Sequence, residues 1–227
     1  EKWLQTKIGT VLKSLIDLKN LKEKNSSIKA LAYQLYENNG VLKRDHVLEY
    51  LKDLGQNERK ILRELGVKFG RYHIFLYKLI KPEAVSLRTL LWKNFNQKYF
   101  ELKPPTFGLN FIDNKNFKNK NFMLLCGFEK FDNFFVRIDI LERLFMQIIN
   151  SGSKENQEIK MIPEMLNLLG CSKENFKKLL KSMSYRIRED QDEIFFKYSP
   201  KKNKKKMFNK KTTKENPFGV LKNLNLN

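Results

Sequence analysis

Apolar residues recur at helical spacing through most of the first hundred residues, and this periodicity is the feature that most constrains the fold. Between residues 28 and 35 they stand at i, i+3, i+4 and i+7, which places them on one face of a helix. Ser27 and Asn57 are suited to cap two of the helices, and Gly40 and Gly66 are suited to end them. The pattern predicts an all-α domain over residues 1–100.

The periodicity changes after this region. Residues 101–121 hold two prolines and five asparagines without a helical period, which predicts a linker or an extended strap. Residues 122–198 begin with a hairpin around Asp132 and Asn133 and continue as helix, a short strand at 159–162, short helix, a three-residue turn at 170–172, helix and two strands. That order predicts a winged helix-turn-helix, with a wing at 186–197. The predicted fold is mainly α: an N-terminal helical domain, a small α+β winged-helix-like domain, and a basic disordered tail at 199–227.

The charge of the chain indicates the kind of partner. The chain has 45 Lys and Arg residues and 25 Asp and Glu residues, which gives a net charge of +20. A protein surface with this excess of positive charge attracts polyanions. Nucleic acid is the favoured polyanion, and ribosome-like or membrane surfaces are the alternatives. No apolar run approaches the ~20 residues of a membrane-spanning helix, so no partner within a membrane is expected. The two separated cysteines, Cys126 and Cys171, fit a reduced, cytoplasmic environment.

Two groups of lysines are candidates for binding nucleic acid. Lys173, Lys177 and Lys181 recur every four residues and form a stripe that could lie along a phosphate backbone. A solvated lysine face on a purely structural module explains the same pattern. The second group lies in the basic tail and comprises Lys201, Lys202, Lys204, Lys205 and Lys206.

The stretch 66–93 mixes aromatic and basic residues, which suits either unpaired bases and phosphates or the aromatic centre of a helical domain. Two turns of helix separated at Pro82 are expected there. We assign Phe69, Phe75 and Trp92 to the core. Arg71 and Tyr72 remain the candidates for an exposed, nucleic-acid-binding role.

No catalytic site is predicted. His46 and His73 have no partner at metal-ligand spacing, and the acids at 189–193 suit a solvated turn, so no metal site is expected. The phosphate-binding pattern GxxxxGK[ST] and the pattern GxGxxG are both absent. This segment by itself is expected neither to hydrolyse ATP nor to hold a cofactor.

Several longer segments carry a family resemblance. They are LAYQLYENNGVLKRDHV at 31–47, LRELGVKFGRYHIFLYKLIKPEAVSLRTLLWK at 62–93, CGFEKFDNFFVRIDILERL at 126–144, MLNLLGCSKENFKKLLKSMSYRI at 165–187 and ENPFGVLKNL at 215–224. In this order they resemble the region after the ATPase core of alphaproteobacterial Suv-type superfamily-two helicases, relatives of the mitochondrial degradosome RNA helicase. Tyr77 stands where we expect proline in that family.

The resemblance implies the C-terminal part of an ATP-dependent helicase. Two RecA-like domains, with ATP and Mg²⁺, would lie upstream, and this would account for a chain that begins at Glu1 without methionine. In such relatives this region packs against the RecA-like domains and helps to line the channel for a single nucleic-acid strand. The expected partners are single-stranded RNA or DNA and the upstream domains, and the apolar residues near 217–221 suggest docking on the helicase body or on an exoribonuclease.

The leading hypothesis is therefore an accessory nucleic-acid-binding region of an RNA or DNA helicase. The first alternative is a stand-alone winged-helix DNA-binding protein, which would bind duplex DNA and prefer particular sequences. The second is an interaction scaffold that recruits a ribonuclease and touches nucleic acid weakly.

Overall fold

The structure, a computed structural model, describes residues 2–23, 25–113, 119–151, 158–191 and 193–199. Two helices, α1 (Lys2–Val11) and α2 (Lys13–Lys19), precede the rest of the fold. Apolar residues at helical spacing predict one continuous helix over residues 3–19, but the backbone of Leu12 has φ −99° and ψ 13°, outside the α-helical region. After these helices, the described chain forms three successive units, each built around a three-stranded antiparallel sheet.

The first unit runs from residue 26 to residue 76. Its elements are α3 (Ser26–Glu37), β1 (Val41–Lys43), α4 (Leu48–Asp53), α5 (Gln56–Glu64), β2 (Val67–Phe69) and β3 (His73–Leu76). The residue that caps α3 is Asn25 rather than Ser27, because the Asn25 side chain accepts the Ser27 N–H at 2.8 Å. The N-cap position of α5 is Gly55 rather than Asn57, and it makes no side-chain hydrogen bond.

The middle unit runs from residue 82 to residue 137. Its described elements are α6 (Pro82–Phe95), β4 (Phe111–Asp113), α7 (Lys120–Leu125), β5 (Phe128–Lys130) and β6 (Phe134–Arg137). The predicted helix start at Pro82 is confirmed, and so is the predicted hairpin around Asp132 and Asn133.

The last unit runs from residue 138 to residue 198. Its described elements are α8 (Ile138–Ser151), β7 (Ile159–Lys160), α9 (Pro163–Leu169), α10 (Lys173–Ser182), β8 (Tyr185–Asp190) and β9 (Glu193–Tyr198). The predicted turn at 170–172 is present: Gly170 adopts φ 67°, and the Ser172 hydroxyl caps α10 by accepting the Asn175 N–H at 3.3 Å. The element order that the sequence predicts for this region is confirmed.

The three units share one sheet topology. The strand orders are β1-β3-β2, β4-β6-β5 and β7-β9-β8, so the last strand of each unit lies between the other two. In each unit one residue with positive φ joins the last helix to the hairpin: Gly66 at 92°, Gly127 at 86° and Ser184 at 67°. Its N–H donates to the carbonyl three residues earlier, at 2.9, 2.9 and 3.2 Å respectively.

The carbonyl of that positive-φ residue closes the unit. It accepts the N–H of the residue directly after the hairpin, at 3.4 Å from Tyr77, 2.9 Å from Ile138 and 2.9 Å from Ser199. The repeated hydrogen bonds show that the three hairpins return to their helices in the same way, although their sequences differ.

Each unit has a hydrophobic core, and a fourth cluster joins units. The core of the first unit includes Leu31, Leu35, Leu62 and Ile74. The core of the middle unit includes Phe122, Met123 and Phe135. The core of the last unit includes Leu144, Met165, Phe176 and Phe196. The joining cluster consists of Val41, Phe75, Ile80 and Ile138. Phe75 is therefore core as predicted, whereas Phe69 and Trp92 are half-buried against the first and middle cores.

The prediction that the first hundred residues are all-α is wrong. The strands β1, β2 and β3 pair there in one antiparallel sheet. These strands are three or four residues long, and β3 is buried at every position, so it shows no alternation of apolar and polar residues. The fold is mixed α+β, with helix predominating.

The segment 101–121, predicted as a linker or strap, contributes β4 to the edge of the middle sheet, beside β6. This strand is only three residues long, and the prolines and asparagines around it are typical of loops, so the sequence pattern does not indicate it. The basic tail lies outside the described residues from 200 onward. Within the described ranges, no helix is long and apolar enough to cross a bilayer.

Ser184 provides a test of the repeated turn. A non-glycine residue in the left-handed region costs roughly 1–2 kcal/mol, partly offset by the entropy that glycine adds to the unfolded chain. We expect Ser184→Gly to raise the free energy of unfolding by up to about 1 kcal/mol, measured by urea denaturation. Gly66→Ala is the matched control. An added Cβ meets no atom closer than 4.0 Å there, but alanine is strained at a φ of 92°, so we expect this variant to lower the free energy of unfolding.

Candidate nucleic-acid interface

Two basic surfaces of the described chain are candidates for contact with a polyanion. The first is an open groove of about 490 Å³ between the β2–β3 hairpin and α8, here named the hairpin groove. The second is the exposed side of α10, here named the lysine face and defined by Lys173, Lys177, Lys178 and Lys181.

The hairpin groove has a basic rim and a largely apolar floor. Lys68, Arg71 and Arg143 line it with exposed side chains. Among the described residues none of these three cations has an acidic partner within ion-pair distance of its side chain. Phe69, Tyr77 and Met146 provide apolar surface, and Tyr77 and Met146 are 46% and 55% exposed.

The acids that line the groove are already paired. Asp139 accepts two hydrogen bonds from the Arg137 guanidinium, at 2.7 and 3.0 Å. Glu142, on α8, accepts the backbone N–H groups of Arg71, Tyr72 and His73 at 2.5, 2.9 and 2.8 Å. The lining holds three cations and two acids, and one of these acids is paired with Arg137, so the net side-chain charge of the groove is positive.

Glu142 fixes the hairpin against α8. Its carboxylate lies so close to Gly70 that a Cβ built on that residue would stand 2.3 Å from the carboxyl carbon. Only glycine permits this approach. The Arg44 guanidinium donates to the Gly70 carbonyl at 2.8 Å. The turn is thereby held by two side chains distant in sequence.

His73 extends this contact into a buried charged junction, defined here by Lys43, His73, Glu129 and Glu142. One ring nitrogen of His73 lies 3.4 Å from Glu142 Oε1 and the other 3.3 Å from Glu129 Oε2, and Lys43 Nζ donates to Glu129 at 2.5 Å. A carboxylate only accepts hydrogen bonds, so both ring nitrogens are satisfied when both carry a proton. The junction links the first unit to β5 of the middle unit and α8 of the last.

The junction shifts two pKa values. Burial by itself would lower the pKa of His73, but the adjacent Glu129 and Glu142 outweigh it and raise that pKa above its ordinary value. Burial alone would raise the pKa of Glu129, but His73 and Lys43 lower it below its ordinary value. Both shifts favour the charged forms, so the charges of the buried His73, Glu129 and Glu142 and of the partly exposed Lys43 compensate one another.

The two candidates predicted within the hairpin differ in their accessibility. Arg71 is exposed at the groove, with its guanidinium carbon 5.7 Å from the centre of the Phe145 ring. Tyr72 is half-buried, packs edge-on against Phe145 at 5.3 Å between ring centres, and has its hydroxyl buried. Burial also raises the pKa of Tyr72. The two residues point to different surroundings, and only Arg71 lines the groove.

The lysine face is partly neutralised from within the chain. Lys173 and Lys181 are exposed and, among the described residues, have no acidic partner. Lys177 is half-buried, and its Nζ donates to Glu189 of β8 at 2.6 Å. The stripe predicted from the sequence is thus present, but its middle cation faces a carboxylate. The predicted tail residues, Lys201 to Lys206, lie outside the described residues.

Sequence reasoning missed the acids of the junction and Arg143. Glu142 and His73 are 69 residues apart, and no local pattern marks their contact. Arg143 lies on α8 beside a broad stripe of apolar core residues, and its position on the groove follows only from the packing of that helix against the hairpin. Arg88 was also missed as a buried residue: its guanidinium donates to the Asn39 and Leu79 carbonyls at 2.6 and 2.5 Å, and burial lowers its pKa to about 10.

The described residues contain no assembled nucleophile or metal cluster. Burial raises the pKa of Cys126 to about 12 and that of Cys171 to about 11, so both thiols are protonated at neutral pH. No group of three or more His, Cys, Asp or Glu within these ranges could hold a metal ion.

Comparison with protein-family models, with curated proteins and with solved structures finds no match for this chain.

The charged junction predicts a pH dependence of stability. Because the folded pKa of His73 is raised, its contribution is fully present below the unfolded value of about 6.5 and is lost as pH rises through the folded pKa. We therefore expect the free energy of unfolding to fall as pH is raised from about 6.5 through the folded pKa. His73→Gln should flatten this slope in urea denaturation. His46→Gln, which removes the other histidine at an exposed position, is the matched control.

Glu189 is expected to compete with phosphate for Lys177. Glu189→Gln removes the carboxylate charge while keeping the size of the side chain, so Lys177 becomes available to a polyanion. We expect tighter binding of an oligonucleotide and a salt dependence steeper by up to about one phosphate contact. Glu164→Gln on α9 is a charge-matched control. Equal effects of the two variants would attribute the change to net charge alone.

Proposed function

We propose that this chain is the C-terminal accessory nucleic-acid-binding region of an ATP-dependent RNA or DNA helicase. The proposal rests on the resemblance of its sequence to Suv-type helicases and on the distribution of charge over the described surface. In this proposal the motor domains, with ATP and Mg²⁺, belong to the upstream part of the helicase. The C-terminal region holds a strand for that motor and performs no chemistry of its own.

The observation that carries the nucleic-acid part is the set of exposed, uncompensated cations on two surfaces. Lys173 and Lys181 on the lysine face, and Lys68, Arg71 and Arg143 at the hairpin groove, have no acidic partner among the described residues. Cations that contact phosphates supply affinity without reading sequence. This matches what a motor requires, because it must hold every sequence along which it moves.

The architecture supports the same proposal. We interpret the last unit as a winged-helix-like module, in which α9 and α10 form the helix-turn-helix and β8 and β9 the wing. The shared sheet order extends this interpretation to the first unit, which has the same sequence of helices and strands. Under this interpretation α10 corresponds to the helix that approaches nucleic acid in DNA-binding relatives of the module.

The spread of lysines along α10 favours backbone contact over base reading. Base-reading side chains of a helix-turn-helix lie near the start of its second helix. The lysines of α10 instead extend from Lys173 in its first turn to Lys181 in its last turn. Cations spread over the whole length of a helix suit a row of phosphates, so a nonspecific grip on the backbone is the better account of α10.

Lys173 and Lys181 give the direct test. We expect the double variant Lys173→Ala with Lys181→Ala to bind a single-stranded oligonucleotide more weakly at low salt. The slope of log K against log salt should fall by up to about two contacts, measured by fluorescence anisotropy. Lys52→Ala with Lys29→Ala, two exposed lysines of the first unit, is the matched control.

The outcomes of that titration separate the alternatives. No binding by the wild-type chain in dilute buffer contradicts the nucleic-acid proposal and favours a scaffold. Strong preference for one duplex sequence favours the stand-alone DNA-binding protein. The helicase part is tested by the reading frame before Glu1: an in-frame Walker loop and DEx[HD] box agree with it, and a start codon immediately before Glu1 contradicts it.

A further inference from the structure

The hairpin groove has the size and the mixture of groups of a small ligand site. Its volume of about 490 Å³ lies within the roughly 300–1,000 Å³ typical of sites for small organic molecules. It is open to solvent, and its lining includes the part-exposed Tyr77 and Met146 together with the cations Lys68 and Arg143. An aromatic ring with a nearby anion is the ligand chemistry that such a lining fits.

The charges in the groove select an anion. Asp139 is held by Arg137, and the Glu142 carboxylate is occupied by three backbone N–H groups and by His73. Among the described residues, Lys68, Arg71 and Arg143 have no carboxylate within ion-pair distance of their side chains. A phosphate supplies the missing charge, and a guanidinium such as that of Arg143 can bind it through two parallel hydrogen bonds.

The aromatic surface of the groove suits an unpaired base rather than a base within a duplex. A base within a duplex presents only its edges in the grooves, so its face is not available to a protein ring. An unpaired base can stack its face on an aromatic side chain while adjacent cations hold the backbone. Tyr77 is suited to this role because its backbone N–H, rather than its ring, makes the structural bond to Gly66.

We propose that the hairpin groove is a binding site for one unpaired nucleotide of a strand, with its base stacked on Tyr77 and its phosphate held by Arg143 and Lys68. The inference rests on the proposed function and adds a specific site to it. The groove then distinguishes strand states, whereas the lysine face contacts only the backbone. The charged junction stabilises the site, because Glu142 holds the β2–β3 hairpin that forms one wall of the groove.

An abasic strand separates stacking from charge. Binding of a short oligodeoxythymidylate and of an abasic strand of equal length is compared by anisotropy for the wild type, Tyr77→Ala and Tyr77→Phe. We expect Tyr77→Ala to weaken thymidylate binding on the order of tenfold and to leave the abasic strand unchanged, while Tyr77→Phe keeps wild-type affinity. Thermal unfolding of each variant checks that the fold is retained.

Charge in the groove is tested on the same two strands. Arg143→Ala should weaken both strands and reduce the salt slope by up to about one contact. Arg143→Lys should restore the salt slope but only part of the affinity, because an ammonium cannot bind the phosphate through two parallel hydrogen bonds. Thymidine monophosphate is added as competitor to separate a strand from a free nucleotide. We expect it to displace the strand only at concentrations far above those at which the oligonucleotide binds.

Three results would overturn this inference. The first is an unchanged affinity of Tyr77→Ala for thymidylate while the Lys173 and Lys181 variant still weakens binding, in which case the proposed function stands without the groove. The second is an equal loss for thymidylate and abasic strands with Tyr77→Ala. The third is tighter binding of the monophosphate than of the strand. Failure of the wild type to bind either strand would instead contradict the proposed function itself.

Discussion

The contact between Glu142 and the hairpin turn is the constraint on which the arrangement of the units depends. One carboxylate of the last unit satisfies three consecutive backbone N–H groups of the first unit and one nitrogen of His73, whose other nitrogen faces Glu129 of the middle unit. Breaking a buried charge pair by removing one partner costs about 3–5 kcal/mol, because the remaining charge is left uncompensated. The junction therefore penalises any arrangement that separates the three units.

The same junction gives the hairpin groove its charge. Asp139 is paired with Arg137 and Glu142 faces His73, so these two acids of α8 do not balance Lys68, Arg71 and Arg143 of the groove. A surface that contains both signs of charge thus behaves as a basic one. The lysine face shows the opposite case, since Glu189 of the wing neutralises Lys177. Internal pairing, rather than the count of basic residues, decides which part of a cationic chain is available to a polyanion.

The three units show which parts of this fold could be predicted from local patterns. The element order of the last unit was predictable because α8 and α10 have clear apolar stripes. The turn between α9 and α10 was predictable because Gly170 is suited to end a helix and Ser172 to cap the next one. The first sheet was not, because β3 is buried on both faces and has no alternation of apolar and polar residues. Of the candidate site, the spacing of Lys173, Lys177 and Lys181 and the exposure of Arg71 could be predicted. The Glu189 contact and the wall formed by Arg143 could not.

By itself the sequence determined the strong positive charge, the helices that carry an apolar stripe and the turns marked by glycine, since each depends on composition or on residues a few positions apart. Only the tertiary structure decided that three short sheets share one topology and that His73 lies between two carboxylates. It also decided which cations stay unpaired. These features depend on contacts between residues as far as 86 positions apart in the chain, such as Lys43 and Glu129, and local spacing carries no information about such contacts.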